Sequence, residues 1–204
     1  MRFLPVLLSA LLLAACATQG VRLSPEQRQA VWQQRNIQLA RLQHWSLNGR
    51  VAVRAGEQGW QAGIRWSKQP TLEEIQLTGP FGGGVVLLRQ DAAGAVLRDN
   101  RGDEYYDTDA EQLLEQVTGW RLPVNALRYW VRGQAIPDAP KELELDDQGK
   151  MKHLSQHQWR ITYQQYGDYD GLLLPRRIVL RRIADDDGNS LEVRLAVNGW
   201  KLEP

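Results

Sequence analysis

Trp60-Gln61-Ala62-Gly63-Ile64-Arg65-Trp66 places an apolar side chain at every second residue, with glutamine, glycine and arginine between them. A period of two is the pattern of a strand that turns one face to a core and the other to water. The same alternation precedes it at Val51 and Val53 and follows it at Ile75 and Leu77. Outward from this stretch, strands are predicted over Ser46 to Arg54, Trp60 to Trp66, Glu74 to Thr78, Val85 to Gln90, Ala95 to Asp99 and Glu104 to Asp107. Ala93-Gly94 and Asn100-Arg101-Gly102 supply turns between them, so this half reads as an antiparallel meander.

Helices flank and interrupt the strands. Ser24 is a good N-cap, Pro25 suits the first helical position and Gln27 completes a capping box. Val31, Ile37, Leu39 and Leu42 give that helix an imperfect apolar face through about Gln43. Asp109-Ala110-Glu111 opens a second helix with Leu113, Leu114 and Val117 on one side and Gly119 as its stop. Pro123 starts a third, carrying Leu127, Trp130 and Val131 and ended by Gly133. Strands resume over Glu142 to Asp146, Met151 to Ser155, Gln158 to Tyr163, Arg176 to Ile183 and Leu191 to Val197. Asp146-Asp147-Gln148-Gly149 and Asp185-Asp186-Asp187-Gly188-Asn189 are predicted hairpin turns. The expected fold is mainly β with helices (α+β): a curved antiparallel sheet of about eleven strands, open or closed, covered by helices. Val85-Val86-Leu87-Leu88 is apolar on both faces. Its side chains either pack solid under the helices or line a cavity for an apolar ligand.

Cys16, the only cysteine, ends an apolar N-terminal run in Leu13-Ala14-Ala15-Cys16. Met1-Arg2 supplies a positive start and Ala14-Ala15 the small residues a signal peptidase requires. The run is too short for a bilayer, which takes roughly 20 apolar residues. A cysteine directly after the small residues resembles a bacterial lipobox, which implies cleavage before Cys16 and lipidation there. Two or three acyl chains hold a domain stably where one does not. Residues 1–15 are then a cleaved signal peptide, 16–23 a lipidated tether and 24–204 one domain. Ala17, not aspartate, follows the cysteine, which favours sorting to the outer membrane. With that cysteine consumed no internal disulfide can form, so the core alone must hold the fold.

Charge is balanced, with 25 Lys+Arg against 24 Asp+Glu, and cleavage removes only Arg2. Balance argues against nucleic acid and against an electrostatic membrane patch. His153 and His157 have metal-like helical spacing, yet they straddle a strand boundary that would separate them. Asp185 to Asp187 lack the later glutamate of a calcium loop. Glu73 and Glu74 are adjacent on a strand and point to opposite faces, which spoils an acid/base pair. No Gly-x-Ser-x-Gly elbow occurs, so the chain does not read as an enzyme; no catalytic residue, metal or cofactor is expected. Thr78-Gly79-Pro80-Phe81-Gly82-Gly83-Gly84 breaks the strand pattern: a proline and glycines dictate a turn around one phenylalanine. Phe81 either folds back on the core or stands exposed as an apolar probe.

Together these segments resemble the LolB family of outer-membrane lipoprotein receptors. The resemblance runs through Leu47-Asn48-Gly49-Arg50, Thr78-Gly79-Pro80-Phe81-Gly82, Asp99 and Gly102 with Tyr105, and Thr118-Gly119 with Pro123. It continues through Leu127, Trp130-Val131-Arg132-Gly133, Leu174-Pro175 and Asn198-Gly199-Trp200. It implies a half-open barrel with a helical lid whose apolar cavity takes lipoprotein acyl chains from the periplasmic carrier LolA and releases them into the inner leaflet of the outer membrane. Cavity residues expected on that basis are Val51, Val53, Ile64, Trp66, Leu77, Val86, Leu88, Trp130, Trp159 and Ile161. Pro80, Phe81 and Gly82 match the family's protruding membrane-insertion loop, where leucine is the usual bulky residue. The resemblance implies a monomer that faces the periplasm and uses no nucleotide. A structural lipoprotein that docks a protein partner without an acyl cavity is the alternative.

Overall fold

Ser24 and Gln27 hold the first helix at its start: the Gln27 amide donates to the Ser24 hydroxyl and the Ser24 amide to the Gln27 side chain. The structure, a computed structural model, describes residues 22–80, 84–119, 122–183 and 190–203. Helix α1 spans Pro25–Ala40, stopping before Gln43. The face it turns inward differs from the expected one. Arg35 and Leu39 are buried with Trp32 half-buried, a spacing of three and four residues, whereas Val31 and Ile37 are exposed.

Eleven strands follow, all antiparallel to their neighbours: β1 (His44–Ala55), β2 (Gln58–Lys68), β3 (Glu73–Thr78), β4 (Val85–Asp91), β5 (Gly94–Arg98), β6 (Glu104–Asp107), β7 (Glu142–Leu145), β8 (Met151–Gln156), β9 (Trp159–Tyr169), β10 (Leu172–Arg182) and β11 (Leu191–Glu203). Between β6 and β7 lie α2 (Ala110–Thr118) and α3 (Val124–Trp130). The strands form one sheet in the order β6-β5-β4-β3-β2-β1-β11-β10-β9-β8-β7. It does not close, and its two edges are β6 and β7. Two meanders thus meet where the first strand pairs with the last, from His44 opposite Glu203 to Ala55 opposite Leu191.

That seam contains two of the segments singled out above. Leu47 lies opposite Trp200 and Asn48 opposite Gly199, but Gly49 lies opposite Val197, so Asn198 is an extra residue that bulges from β11. The strands approach closely there. A Cβ on Gly49 would sit 2.2 Å from the Ala196 carbonyl oxygen. The bulge shifts the alternation of β11 by one, which lets Val197 and Trp200 both point into the core.

The β9–β10 hairpin is longer than predicted at both strands. Gly167, Asp168 and Pro175 break the apolar pattern, yet the strands accommodate them through register shifts between Pro175 and Ile178. Pro175 lacks an amide to donate, and its carbonyl accepts from the Trp200 indole at 3.1 Å. Asp109 caps α2 by accepting from the Glu111 amide at 2.7 Å, and Gly119 ends it with φ 74°.

Side chains from one face of the sheet make the core. The larger cluster joins β1, β2, β8, β9, β10 and β11 to α1 and α3, and includes Trp45, Trp66, Trp130, Trp159 and Trp200. A smaller one packs Leu88, Ala95 and Leu97 against Ala110, Leu113 and Leu114 of α2 and Val124 of α3. Every buried residue among those described falls between Arg35 and Trp200.

Candidate functional site

Register decides which side chains share the concave face. Val51 lies opposite Ala62 and Leu195, Ile64 opposite Leu77, Leu77 opposite Val86, and Ile161 opposite Leu180. Directly paired residues share a face, so the nine strand residues expected in a cavity all point inward, and Trp130 reaches the same space from α3. Val51, Val53, Ile64, Trp66, Trp130, Trp159 and Ile161 are in the larger cluster with Leu77 packed against it, whereas Leu88 is in the smaller one with Val86 against it. The interior is filled: Trp130 and Ile161 are 0% exposed, while Leu77 and Val86 are half-buried.

Aromatic rings line much of this space. Trp45 stands 5.4 Å from Trp66 and 5.5 Å from Trp200 between ring centroids, and Trp130 stands 6.3 Å from Trp159. Each indole N–H needs a partner in an apolar setting. Gln156 supplies one, its amide oxygen accepting from Trp130 at 3.1 Å and from the Ile136 amide at 2.9 Å. Glu73 supplies another, accepting from Trp66 at 3.0 Å and pairing with Arg128 of α3 at 3.2 Å. Glu74, its neighbour, faces outward and bonds Arg89 at 2.8 Å, as strand geometry requires.

Two buried arginines, which sequence reasoning passed over, tie the helices together. Arg35 of α1 donates to the carbonyls of Leu173, Arg132 and Gly133. Arg132 donates to Leu39 and Leu42 at 3.1 Å each and to Arg128 at 3.0 Å. The Leu39 carbonyl, which also accepts from the Leu42 amide at 3.2 Å, lies in the last turn of α1, and the Leu42 carbonyl lies just beyond it. Burial pulls the Arg132 guanidinium down to about 10, and burial lowers Arg35 as well. The same burial raises Tyr163 and Tyr166, whose hydroxyls donate to the Trp130 and Met151 carbonyls at 2.9 and 2.7 Å. Gly133 holds φ 73° where a Cβ would meet Arg35 at 2.9 Å and the Tyr166 hydroxyl at 3.2 Å. Trp130-Val131-Arg132-Gly133 is therefore the knot where α1, α3 and the β9–β10 hairpin meet.

The loop after β3 is closed at its base by the Gly79 amide donating to the Gly84 carbonyl at 3.1 Å, and Pro80 is exposed. Phe81, Gly82, Cys16 and the turn at Asp185 to Asn189 lie outside the described residues. His153 bonds Thr162 at 3.2 Å, His157 sits in a turn with φ 50°, and no metal-binding cluster of three or more His, Cys, Asp or Glu occurs among the described residues. No helix among those residues is long and apolar enough to cross a membrane.

Among solved structures the fold resembles a putative outer membrane lipoprotein-sorting protein domain from Vibrio parahaemolyticus, with a TM-score of 0.55 at 9% identity over 85% of this chain and 91% of that one. A DUF1329 family protein from Desulfovibrio piger gives 0.54 at 8% identity, covering 87% and 92%. These likenesses concern the fold alone. In sequence, the chain is 36% identical to the outer-membrane lipoprotein LolB of Chromohalobacter salexigens over 94% of its own length and 86% of the relative. It is 36% identical to that of Halorhodospira halophila over 98% and 94%, and 34% to that of Pseudomonas putida over 93% and 91%. The family model described as outer membrane lipoprotein LolB matches residues 43–200, from the start of β1 to Trp200 at the seam. A family match that spans both meanders, the loop base, α2 and α3, with relatives 36% identical over nearly the whole chain, leaves one conclusion: this chain belongs to the LolB family of outer membrane lipoproteins.

Proposed function

We propose that this protein receives lipoproteins at the outer membrane by binding their acyl chains on the concave face of the sheet and passes them into the inner leaflet. The observation that carries the reading is the aromatic, apolar interior beneath α1 and α3, in a chain of the LolB family. Acyl chains need an apolar lining and no covalent chemistry, so no catalytic residue, cofactor or nucleotide takes part. The route into the interior runs past α3, which Arg128, Trp130 and the Trp130 carbonyl attach to the sheet through Glu73, Gln156 and Tyr163. Each such bond is worth about 1 kcal/mol net, or about 2 where a charge takes part, and a buried methylene returns about 0.8 kcal/mol. About five methylenes of an acyl chain therefore offset these three bonds.

On this reading residues 1–15 are removed, Cys16 carries the acyl groups that anchor the protein, residues 16–23 tether it, and the domain from 24 to 204 faces the periplasm as a monomer. Cargo arrives from the carrier LolA. Transfer runs downhill, because each successor binds the acyl chains more tightly than the donor. Phe81 is the bulky apolar residue of the insertion loop, in the place of the family's usual leucine, and burying it in the leaflet contributes about 2 kcal/mol.

Saturable binding of a fluorescent fatty acid to the domain from residue 17 onward tests the cavity; a solid scaffold that only docks a protein partner would bind none. Phe81→Glu is expected to keep that binding and to block delivery of a labelled lipoprotein from carrier to liposomes. Normal delivery by Phe81→Glu would sink the role given to the loop.

A further inference from the structure

Net charge conceals how charge is distributed over the two faces of the sheet. Three rows of paired residues cross the outward face of β2, β1, β11, β10 and β9. They read Gly63-Arg50-Ala196-Arg177-Gln165, Gln61-Ala52-Arg194-Val179-Thr162 and Gly59-Arg54-Glu192-Arg181-Arg160. Six arginines stand there against one acid. Glu192 is shared by Arg181 and Arg194, each at 2.5 Å. Arg50, Arg54, Arg160 and Arg177 are exposed and have no ion pair or hydrogen bond among the described residues.

The first two rows enclose a groove of about 690 Å³. Small residues at Ala52, Gly63 and Ala196 make its floor, and Arg50, Arg177 and Arg194 rise around it. Arg50 and Arg177 flank Ala196 on either side, so their Cα atoms are about two strand spacings, or about 10 Å, apart. Arginine presents a fork of donors that matches phosphate oxygens, and three such forks around one hollow suit that anion.

The first row also continues in the other direction, from Gly63 to Thr78 of β3 and Val85 of β4. Those two residues are the last before and nearly the first after the loop closed by Gly79 and Gly84. The groove itself reaches Gly79 and Pro80, and Val85 is 41% exposed on the same face. One face therefore presents an arginine field, an exposed valine and the base of the glycine-proline loop in a single row.

We propose that this outward face is a membrane-contact surface that holds phosphate head groups of anionic phospholipids, with Arg50, Arg177 and Arg194 as its centre. The proposal rests on the reading that the domain works at a membrane, but not on the acyl-binding interior, which is on the opposite face. An apolar residue and a loop base beside the arginines favour a lipid surface over an acidic protein. Such contact would lay the sheet against the leaflet and fix where the loop meets it, a role distinct from the tether's.

The domain from residue 17 onward, which keeps every buried residue described, is mixed with vesicles of phosphatidylcholine alone or with added phosphatidylglycerol, and co-sedimentation is measured. Binding is expected only with phosphatidylglycerol and should weaken as salt rises. Each arginine near an anionic surface is worth about fivefold, so Arg50→Gln/Arg177→Gln/Arg194→Gln should bind about a hundredfold more weakly and melt as the parent does. Arg89→Gln, on the same outward side but outside the rows, should bind as the parent does. Equal binding to both vesicles, or an unchanged triple variant, overturns the proposal. So does tight binding to polyglutamate without vesicle binding, which would assign the face to an acidic protein. Competition by soluble glycerol phosphate at low concentration would mark an isolated phosphate site and equally overturn a lipid surface. Fatty-acid binding by the same triple variant separates the two readings. If the parent bound no fatty acid yet bound vesicles through these arginines, the acyl-cavity reading would fall and this one would stand.

Discussion

Arg132→Met is expected to lower the stability of the domain by about 2 kcal/mol, and the sum can be traced. Arg132 is 7% exposed and its guanidinium supplies the carbonyls of Leu39, Leu42 and Arg128. Methionine fits the space but donates nothing. The carbonyls of Leu42 and Arg128 lose their donor at a cost of about 2 kcal/mol each, and that of Leu39, which keeps the Leu42 amide at 3.2 Å, loses one of its two donors at about 1, or about 5 together. Against this stands relief from burying a cation: the fall of its pKa to about 10 converts to about 3 kcal/mol that the folded parent already bears. The difference is about 2 kcal/mol, or about 4–8 °C in Tm for a domain of this size. Calorimetry and urea titration at pH 7 measure it, with Arg132→Lys beside it. Lysine keeps the charge but has no fork to span three acceptors, so it should recover less than half the loss. The folded arginine loses its proton at lower pH than the unfolded one, so the unfolded chain binds more protons in the window that opens at about 10 and closes at the ordinary arginine value. Parent stability gains from this group as pH climbs through that window, and the methionine variant lacks the gain. A Tm within about 2 °C of the parent would refute the idea that these three bonds outweigh the buried charge.

Gly133→Ala should destabilise by about 1–3 kcal/mol, because φ 73° is strained for alanine and the new methyl meets Arg35; urea midpoints test this, and Gly59→Ala, with open space around it, is the control. Burial works to raise the Glu192 carboxyl, but its bonds to Arg181 and Arg194 hold it below 4.5. Its stabilising contribution is therefore complete above pH 4.5 and fades as pH falls through the lowered value. Glu192→Gln should show a flatter decline of Tm in acid than the parent; parallel curves would contradict the assignment.

Strand number and succession were legible because alternation is a local signal that tertiary contacts only reinforce. Trp60 to Trp66 reads as a half-buried strand on any neighbour it pairs with. Bulges are not local in that sense. Asn198 is expelled because β1 offers one residue opposite two, and the far half of the β9–β10 hairpin survives Gly167 and Pro175 for a similar reason. Which side chains point inward hangs on register, which a slip of one residue reverses and which alternation alone does not fix. What fills the interior was not legible either, because packing depends on how closely α1 and α3 approach. Arg35 and Arg132 were missed because a charged residue reads as solvent-facing until carbonyls from distant segments are brought to it. The outward arginine field escaped notice since acids in turns, among them Asp146, Asp147 and Asp170, cancel it in the total while standing elsewhere in space.

The pairing of first strand with last sets the order of events when the chain folds. β1 has a local partner in β2, but its other edge stays open until residues 191–203 arrive, almost the whole domain later. Although β4 and β5 bury their inner face under α2 and α3, the larger cluster draws on strands from both sides of the seam and is complete only when the two meanders meet. Bringing such distant segments together is slow, since the entropy of closing the loop must be met before the contacts that repay it exist. A chain built this way cannot complete its larger core until its final strand is available. A polypeptide whose core is incomplete can still be threaded through a narrow passage, and the seam makes completion of the sheet the moment at which threading can no longer be reversed.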